Sequence, residues 1–376
     1  MPEAGAGRRA IVMVGTHWST RGGISSVVRG YQQGGLFERW NITYVTTHRD
    51  GNALRKSVAA ITGMASFVFT IARRWPVIAH VHLSSRASFW RKVWIFEICH
   101  ALSIPTILHL HGSEFMEFYQ REAGALGRAL IRRTFRRATE VIVLSTQWRT
   151  NVLQILGAGT RPVRVLPNAV TIPAEPAEGT ARDGVVEIAF LGRLGTRKGV
   201  FDLLDALSGI DRHTHDWLLH CAGDGQIAEV RERAKELGIA DRVTVPGWID
   251  ATQRDRLLRR SGIFVLPSYA EGLPMALLEA MAHGLAVVVS PVGGMPEVVT
   301  EGCEGYLVPP GDKPALRRCL EALLSDPDLR ARMGAAARKR IVQGFSLQHA
   351  VEELGAVYLA LGAGPASEGV VRATPG

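Results

Sequence analysis

Apolar residues recur along this chain in two rhythms. Short apolar runs at residues 11–15, 41–47, 77–83, 106–110 and 140–144 alternate with longer stretches of helical spacing, the first opening at Ser25 after Gly22-Gly23. Brief apolar runs bounded by turn-forming residues predict strands, and the stretches between them predict helices. Strict alternation of the two predicts a parallel, doubly wound sheet. Residues 162–184 gather Pro, Gly, Ala and Glu and break the rhythm. It resumes with strands expected at 185–191, 217–222, 243–245, 263–266 and 286–290, and helices at 200–207, 227–237 and 275–283. The pattern therefore predicts an α/β chain of two Rossmann-like domains, 1–170 and 171–345. Ligands of open parallel sheets bind beyond the C-terminal strand ends, so a cleft lined by both domains is expected.

One stretch fits the rhythm poorly. Residues 57–72 are almost wholly apolar, with Arg55-Lys56 before them and Arg73-Arg74 after. Such a run falls short of the ~20 residues that span a bilayer. The first reading is a core helix of the first domain. The alternative is a surface helix whose basic flanks touch anionic lipid headgroups, with Arg132-Arg133 and Arg136-Arg137 either adding to that face or simply solvated.

Composition narrows the class. Of 376 residues, 47% are hydrophobic and 21% charged, the balance of a folded protein large enough for two domains. Four scattered cysteines without a C-x-x-C pair argue against a zinc ribbon or disulfide framework and fit a reducing, cytoplasmic setting. The apolar run after Arg8-Arg9 is too short for a signal peptide. The net charge of +9 is uneven: residues 1–180 hold 22 Lys/Arg against 10 Asp/Glu. A basic half suits nucleic acid, an anionic membrane or an anionic substrate. No zinc finger, RNA-binding aromatic motif or recognition-helix pattern accompanies it, so nucleic acid is not expected.

The chemistry concentrates in loops that follow expected strands. Glu271 and Glu279 flank an apolar segment beginning Gly272-Leu273-Pro274. Proline is tolerated at a helix start, which puts Glu271 in the entering loop and Glu279 on the helix. The free N–H groups of that start favour an anion. A carboxylate beside an anion site suits a ligand carrying both hydroxyls and phosphates, such as a sugar nucleotide. Arg193 and Lys198 lie in Gly192-Arg-Leu-Gly-Thr-Arg-Lys-Gly199, a glycine-rich strand-to-helix loop. A guanidinium forks onto phosphate oxygens and an ammonium adds a point charge; the alternative is a pair of solvated loop cations. Gly22-Gly23 either lets backbone approach a ligand or makes an ordinary turn.

His80 and His82 share one strand face, and His109 and His111 share another. A metal is not expected there, because no carboxylate or thiolate completes a ligand set. His111, followed by Gly112, is better placed to face a cleft. Asp326-Pro-Asp328 fits a metal-binding D-x-D pattern but follows a helical stretch, so it reads as a turn and helix cap. No G-x-G-x-x-G follows the first strand, which argues against a nicotinamide enzyme.

These residues resemble the retaining GT-B glycosyltransferases of family 4, the glycosyl transferases group 1. The second half carries the closer likeness: Phe190-Leu-Gly-Arg-Leu194, Lys198-Gly199, Cys221-Ala-Gly-Asp-Gly225, Glu271 to Glu279, Gly293-Gly-Met-Pro-Glu297 and Gly305-Tyr-Leu-Val-Pro-Pro310. The first half matches through Gly22-Gly23-Ile24, His109-Leu-His-Gly112, Ser145 and Leu166-Pro-Asn168.

The resemblance implies that Glu271 contacts the donor sugar and supports charge at the anomeric carbon. It implies that Glu279 clamps the ribose, that Arg193 and Lys198 hold the pyrophosphate without a metal, and that Gly22 and Gly23 approach the phosphates. His111 would lie beside the reacting centre. Gly223, Ile249, Gly272 and Leu273 would complete the donor site. It further implies a last helix at 346–361 that crosses back onto the first domain, with a loose tail at 362–376.

The implied donor is a UDP- or GDP-sugar, with no cofactor. The implied acceptor is a glycan or lipid-linked glycan hydroxyl, at or near the inner membrane face. Thr20 to Ser26 and Val81 to Arg86 resemble members that build bacterial exopolysaccharide; there Arg86 and Arg91 either face an anionic acceptor or stay solvated. The rivals are a nucleotide-sugar hydrolase or epimerase on the same fold and a non-catalytic, membrane-associated binding subunit.

Overall fold

The computed structural model describes residues 9–75, 77–157, 163–177, 184–211 and 213–366. The chain divides into two compact units, one of residues 1–144, 148–166 and 347–376, the other of 145–147 and 167–346.

In the first unit, β1 (Ala10–Gly15), α1 (Gly23–Gln33), α2 (Leu36–Trp40), β2 (Ile42–Thr46) and α3 (Ala53–Arg74) lead into β3 (Val77–Leu83) and α4 (Ala87–Ala101). Next come β4 (Thr106–Leu110), a single turn α5 (Phe115–Glu117) continuing into a wider π-type turn, α6 (Ala125–Arg137), β5 (Glu140–Val143), α7 (Thr146–Leu156) and β6 (Val163–Val165). The strands form one parallel sheet in the order β2-β1-β3-β4-β5-β6. Connections leave β1 in opposite directions toward β2 and β3, which opens a crevice at the C-terminal ends of β1 and β3. Strand β3 is buried throughout, as a parallel strand covered on both faces must be.

Helix α3 is not a core helix. Only Gly63, Phe67 and Ile71, spaced by four, form its buried stripe. Leu54, Ile61 and Phe69 are 71%, 70% and 60% exposed. By length and composition α3 is the one described helix apolar enough to cross a membrane, yet little of it is buried. The sequence run is apolar on all sides, while the sheet needs only one narrow side of it.

The second unit runs β7 (Val186–Leu191), α8 (Val200–Ser208), β8 (Trp217–Ala222), α9 (Ile227–Glu236), β9 (Val243–Gly247), α10 (Ala251–Arg260) and β10 (Ile263–Leu266). It continues with α11 (Met275–His283), β11 (Ala286–Val289), β12 (Gly305–Leu307), α12 (Lys313–Ser325) and α13 (Pro327–Gly344). The parallel order is β12-β11-β10-β7-β8-β9, which reverses between β7 and β10. Loops after those two strands are where a ligand of this topology sits.

Asp326 caps α13 by accepting from the Leu329 amide at 2.8 Å. Of the interdomain stretch, residues 163–165 form β6, and 178–183 lie outside the described residues.

Helix α14 (Leu347–Ala360) belongs to the first unit. Leu347 and Val351 pack over Gly34, and Trp40 meets Gly355. Gly362 to Ala366, expected in the loose tail, are held in place: the Arg9 amide donates to the Gly362 carbonyl and the Ala366 amide to the Arg39 carbonyl. Residues 367–376 lie outside the described residues.

Candidate active site

Two loop pairs at the C-terminal edge of the second sheet are laced together. The Leu194 amide donates to the Asp224 carbonyl at 2.6 Å, and the Gln226 amide returns to the Leu194 carbonyl at 3.0 Å. Gly223 has φ 156° and faces the Gly192 carbonyl so closely that any Cβ would collide with it. On the other side of the switch point, the Gly294 amide donates to the Gly272 carbonyl at 2.6 Å. Gly293 has φ 60°, and a side chain there would strike the Glu271 backbone. A single network therefore fixes the loops that carry Arg193, Lys198, Glu271, Gly272 and Leu273.

The charged groups follow from that frame. Lys198, at the end of the β7 loop, forms an ion pair with Glu271, and both side chains are largely buried. The Arg197 guanidinium donates to the Ala270 carbonyl at 3.0 Å, and the Tyr269 amide to the Arg197 carbonyl at 2.9 Å. The crossing from β7 to β10 is thus bonded on both sides of Lys198–Glu271. Arg193 is exposed and has no carboxylate partner among the described residues. Pro274 precedes α11, whose first amides meet no side-chain cap. Glu279, one turn into α11, pairs with Arg254 of α10 at 3.0 Å. Ile249 is half-buried in the loop between β9 and α10.

The expected residues of the first domain lie at the corresponding edge of the first sheet. His111 follows β4, and its Nε2 shares a 2.8 Å hydrogen bond with His82 Nδ1. A Cβ on Gly112 would stand 2.8 Å from the Ser85 amide nitrogen. Burial first, then the charges of His80 and Lys92, lower His111 to about 3, so its imidazole is neutral at neutral pH. Gly22 and Gly23 face open space where a side chain would project, which leaves the backbone approachable.

The four histidines stack. His80 Nδ1 meets the Tyr358 hydroxyl at 2.7 Å, and its Nε2 meets His109 Nδ1 at 3.2 Å. Nitrogens of His80, His82 and His109 lie within 4.8 Å of one another, a set that offers imidazole ligands to a transition metal. Burial alone brings His80 to about 3, and it is the largest cause that lowers His82 and His109.

Three contributors escaped the sequence. Arg254 holds Glu279 but sits in a polar helix like any other surface arginine. The buried Asn168 amide donates to the Leu273 carbonyl at 2.7 Å; its signal was Leu166-Pro-Asn168, which gave a likeness but no role. Glu297, seen before only as the end of the Gly293 to Glu297 likeness, accepts from the Thr146 and Gln147 amides at 2.9 and 3.0 Å, all three within the second unit.

Comparison with known proteins agrees with this geometry. Residues 172–340 match the family model of the glycosyl transferases group 1, and residues 12–169 match the glycosyl transferase 4-like domain. The alpha-maltose-1-phosphate synthase of Mycolicibacterium smegmatis is 31% identical over 284 residues, covering 68% of this chain and 73% of that protein. The glycogen synthase of Mycobacterium tuberculosis is 29% identical over 262 residues; the match takes in 68% of this chain and 63% of that protein's length. Among solved structures, HepE of Anabaena in complex with UDP-glucose superimposes with a TM-score of 0.73 at 18% identity, covering 94% of this chain and all of that one. Two parallel six-stranded sheets flanked by helices, matched over this length, define the GT-B fold. The chain belongs to the glycosyl transferases group 1.

Proposed function

We propose that this protein transfers a glycosyl group from a nucleoside diphosphate sugar to an acceptor hydroxyl with retention of anomeric configuration. The observation that carries the reading is the Lys198–Glu271 pair, buried at the switch point between β7 and β10. A donor entering there exchanges the Glu271 carboxylate for phosphate oxygens on Lys198. That exchange frees Glu271 for the sugar hydroxyls and for the positive charge that grows at the anomeric carbon. Arg193 shares the diphosphate charge, which in this reading needs no metal. Glu279, held by Arg254, presents its carboxylate to the ribose.

The glycosidic C–O bond to the diphosphate breaks as the acceptor oxygen attacks from the same face. The departing phosphate oxygen takes the acceptor proton. His111, neutral, donates or accepts one hydrogen bond beside that centre and carries no charge.

The relatives support the class of chemistry: their names describe synthases of glycogen and of maltose-1-phosphate, and HepE holds UDP-glucose. A lipid-linked acceptor at the inner membrane face, of the kind used in cell-surface polysaccharide synthesis, is the reading that fits helix α3, whose exposed apolar face is flanked by Arg55, Lys56, Arg73 and Arg74.

The test is nucleoside diphosphate release from UDP-, GDP- and ADP-sugars, with and without extracted bacterial lipids. Release from one donor only when lipid is present is the expected result. Equal release without any acceptor would replace transfer by hydrolysis or epimerisation.

A further inference from the structure

Asn168 is a buried amide with half of its bonding capacity used. It is 4% exposed, and Leu166, Ala169 and Val170 around it are buried and apolar. Its Nδ2 donates to the Leu273 carbonyl at 2.7 Å, while its Oδ1 is buried and meets no donor. An amide carries two donors and a carbonyl with two lone pairs, and leaving that carbonyl unmet in the interior is unfavourable. An apolar side chain here would avoid the cost. The one bond that Asn168 makes is therefore the reason for a polar residue at this place. Its direction is also set: with the amide turned over, Oδ1 would face the Leu273 carbonyl oxygen.

The two ends of that bond differ in how they are held. The backbone near Asn168 is anchored elsewhere, since the Val170 amide donates to the Phe345 carbonyl at 3.0 Å. The Leu273 carbonyl has no other support. Pro274 follows it and has no N–H, and the first amide of α11 to turn back reaches Pro274, not Leu273, through Leu278 at 3.4 Å. Among the described residues Asn168 is the one donor to the Leu273 carbonyl. It acts as a strut from a fixed backbone to a loop.

That loop carries Glu271. The neighbouring Gly272 carbonyl is turned onto the Gly294 amide at 2.6 Å. In a trans peptide the N–H points away from the carbonyl, so these two bonds together set the orientation of both peptides between Glu271 and Pro274. Arg193 and Lys198, the cations assigned to the diphosphate, stand on the β7 loop, and neither hydrogen-bonds Asn168. The strut therefore bears on the part of the site that would face the sugar and not on the part that would face the phosphates.

We propose that Asn168 is a positioning residue that holds the Glu271-Gly272-Leu273-Pro274 turn in the shape that receives the donor sugar. The inference rests on the transferase reading above, because only there is Glu271 a ligand of the sugar.

The experiment is calorimetric titration of the full chain with UDP, GDP and ADP and with a panel of their sugars, continued with the best-binding nucleotide sugar and its bare diphosphate. Asn168→Ala and Asn168→Asp should each weaken the nucleotide sugar tenfold or more and leave the bare diphosphate within twofold. The aspartate keeps the size of the side chain but sets an oxygen against the Leu273 carbonyl, so its loss should be at least as large as that of the alanine. Equal weakening of both ligands marks a general loosening of the site and overturns the proposal, as does undiminished affinity for the nucleotide sugar. A second measurement needs no variant. Hydrogen exchange of residues 268–274 in the wild type should slow at least threefold more with the nucleotide sugar than with the bare diphosphate, and equal protection also overturns the proposal. If the wild type binds none of the nucleotides or their sugars, the donor reading itself fails and takes this inference with it; binding without the split in the variants removes Asn168 alone.

Discussion

Glu271 is buried against Lys198, so its replacement removes the partner of a cation and, in the proposed reading, a ligand for the sugar. Glu271→Ala is expected to lower turnover by about a hundredfold or more, the order found when one preorganised group facing transition-state charge is lost. Donor affinity should change far less, because Lys198 is then free for phosphate. Single-turnover kinetics beside nucleotide titration checks this, and a variant with full turnover would refute the role. Arg193→Ala should do the reverse, with weaker nucleoside diphosphate binding, read by calorimetry.

The two carboxylates were visible as residues because their spacing around Pro274 fixed one in a loop and one on a helix. Lys198 was visible too, but not as the partner of Glu271, and Arg254 was not visible at all, since pairing across the sheet depends on strand order. Lys92 shows the same limit. In the sequence it is the second half of an Arg-Lys pair, and nothing there marks one as buried.

Its burial makes a prediction about pH. Burial, aided by Arg91, pushes the Lys92 amine from 10.5 down to about 7. The unfolded chain keeps that proton up to about pH 10.4. Between about 7 and 10 the unfolded state therefore binds more protons, and stability should rise with pH through that window and be lowest below it. The groups that face the amine include Arg91, His48, His82 and His111; the histidines are held neutral there and leave the window unaltered. Urea midpoints of the wild type and Lys92→Met at pH 6.5 and 9 test this. The variant should lose the slope and gain on the order of 1–4 kcal/mol at the lower pH, the range seen when buried charges give way to apolar side chains.

At the scale of elements, α3 separates what a hydropathy run says from what a helix does. The run at residues 57–72 was read first as core, and that reading failed because the sheet accepts only Gly63, Phe67 and Ile71. The spacing of those three was in the sequence, but apolar residues on the other faces hid it. If the exposed face serves a membrane, changing Leu54, Ile61 and Phe69 to Ser should leave folding stability within about 0.5 kcal/mol per site. The same triple variant should lose flotation with vesicles of anionic lipid. Retained flotation would detach α3 from the membrane reading. Many of the strands and helices that were foreseen, β4, β10, α8 and α11 among them, have apolar runs bounded by Gly or Pro. Strand β12 and helix α10 were not foreseen, and α13 only by its cap, because a three-residue strand and charged helices carry too little pattern.

At the scale of the whole molecule, the sequence disclosed two parallel sheets but not the order of their strands. Alternating strands and helices require parallel pairing through crossovers. Which way each crossover turns depends on packing between residues far apart. The charge asymmetry was legible and has a place, since the basic excess of residues 1–180 falls mostly in the first unit. If that unit binds anionic vesicles as the proposed reading has it, the binding should weaken as salt rises from 50 to 500 mM, on the scale of a Debye length falling from about 14 to 4 Å. Flotation across that series reads it directly.

The Tyr358 hydroxyl reaches His80 inside the first sheet, and Leu347, Val351 and Gly355 close over Gly34 and Trp40. The residues that finish the first unit are thus encoded after the whole of the second. While residues 167–346 are being made, the nascent first half holds its strands but lacks its final wall. The unit begun first is the one that closes last, and a chain cut after residue 346 would keep the second unit whole and leave the first unfinished.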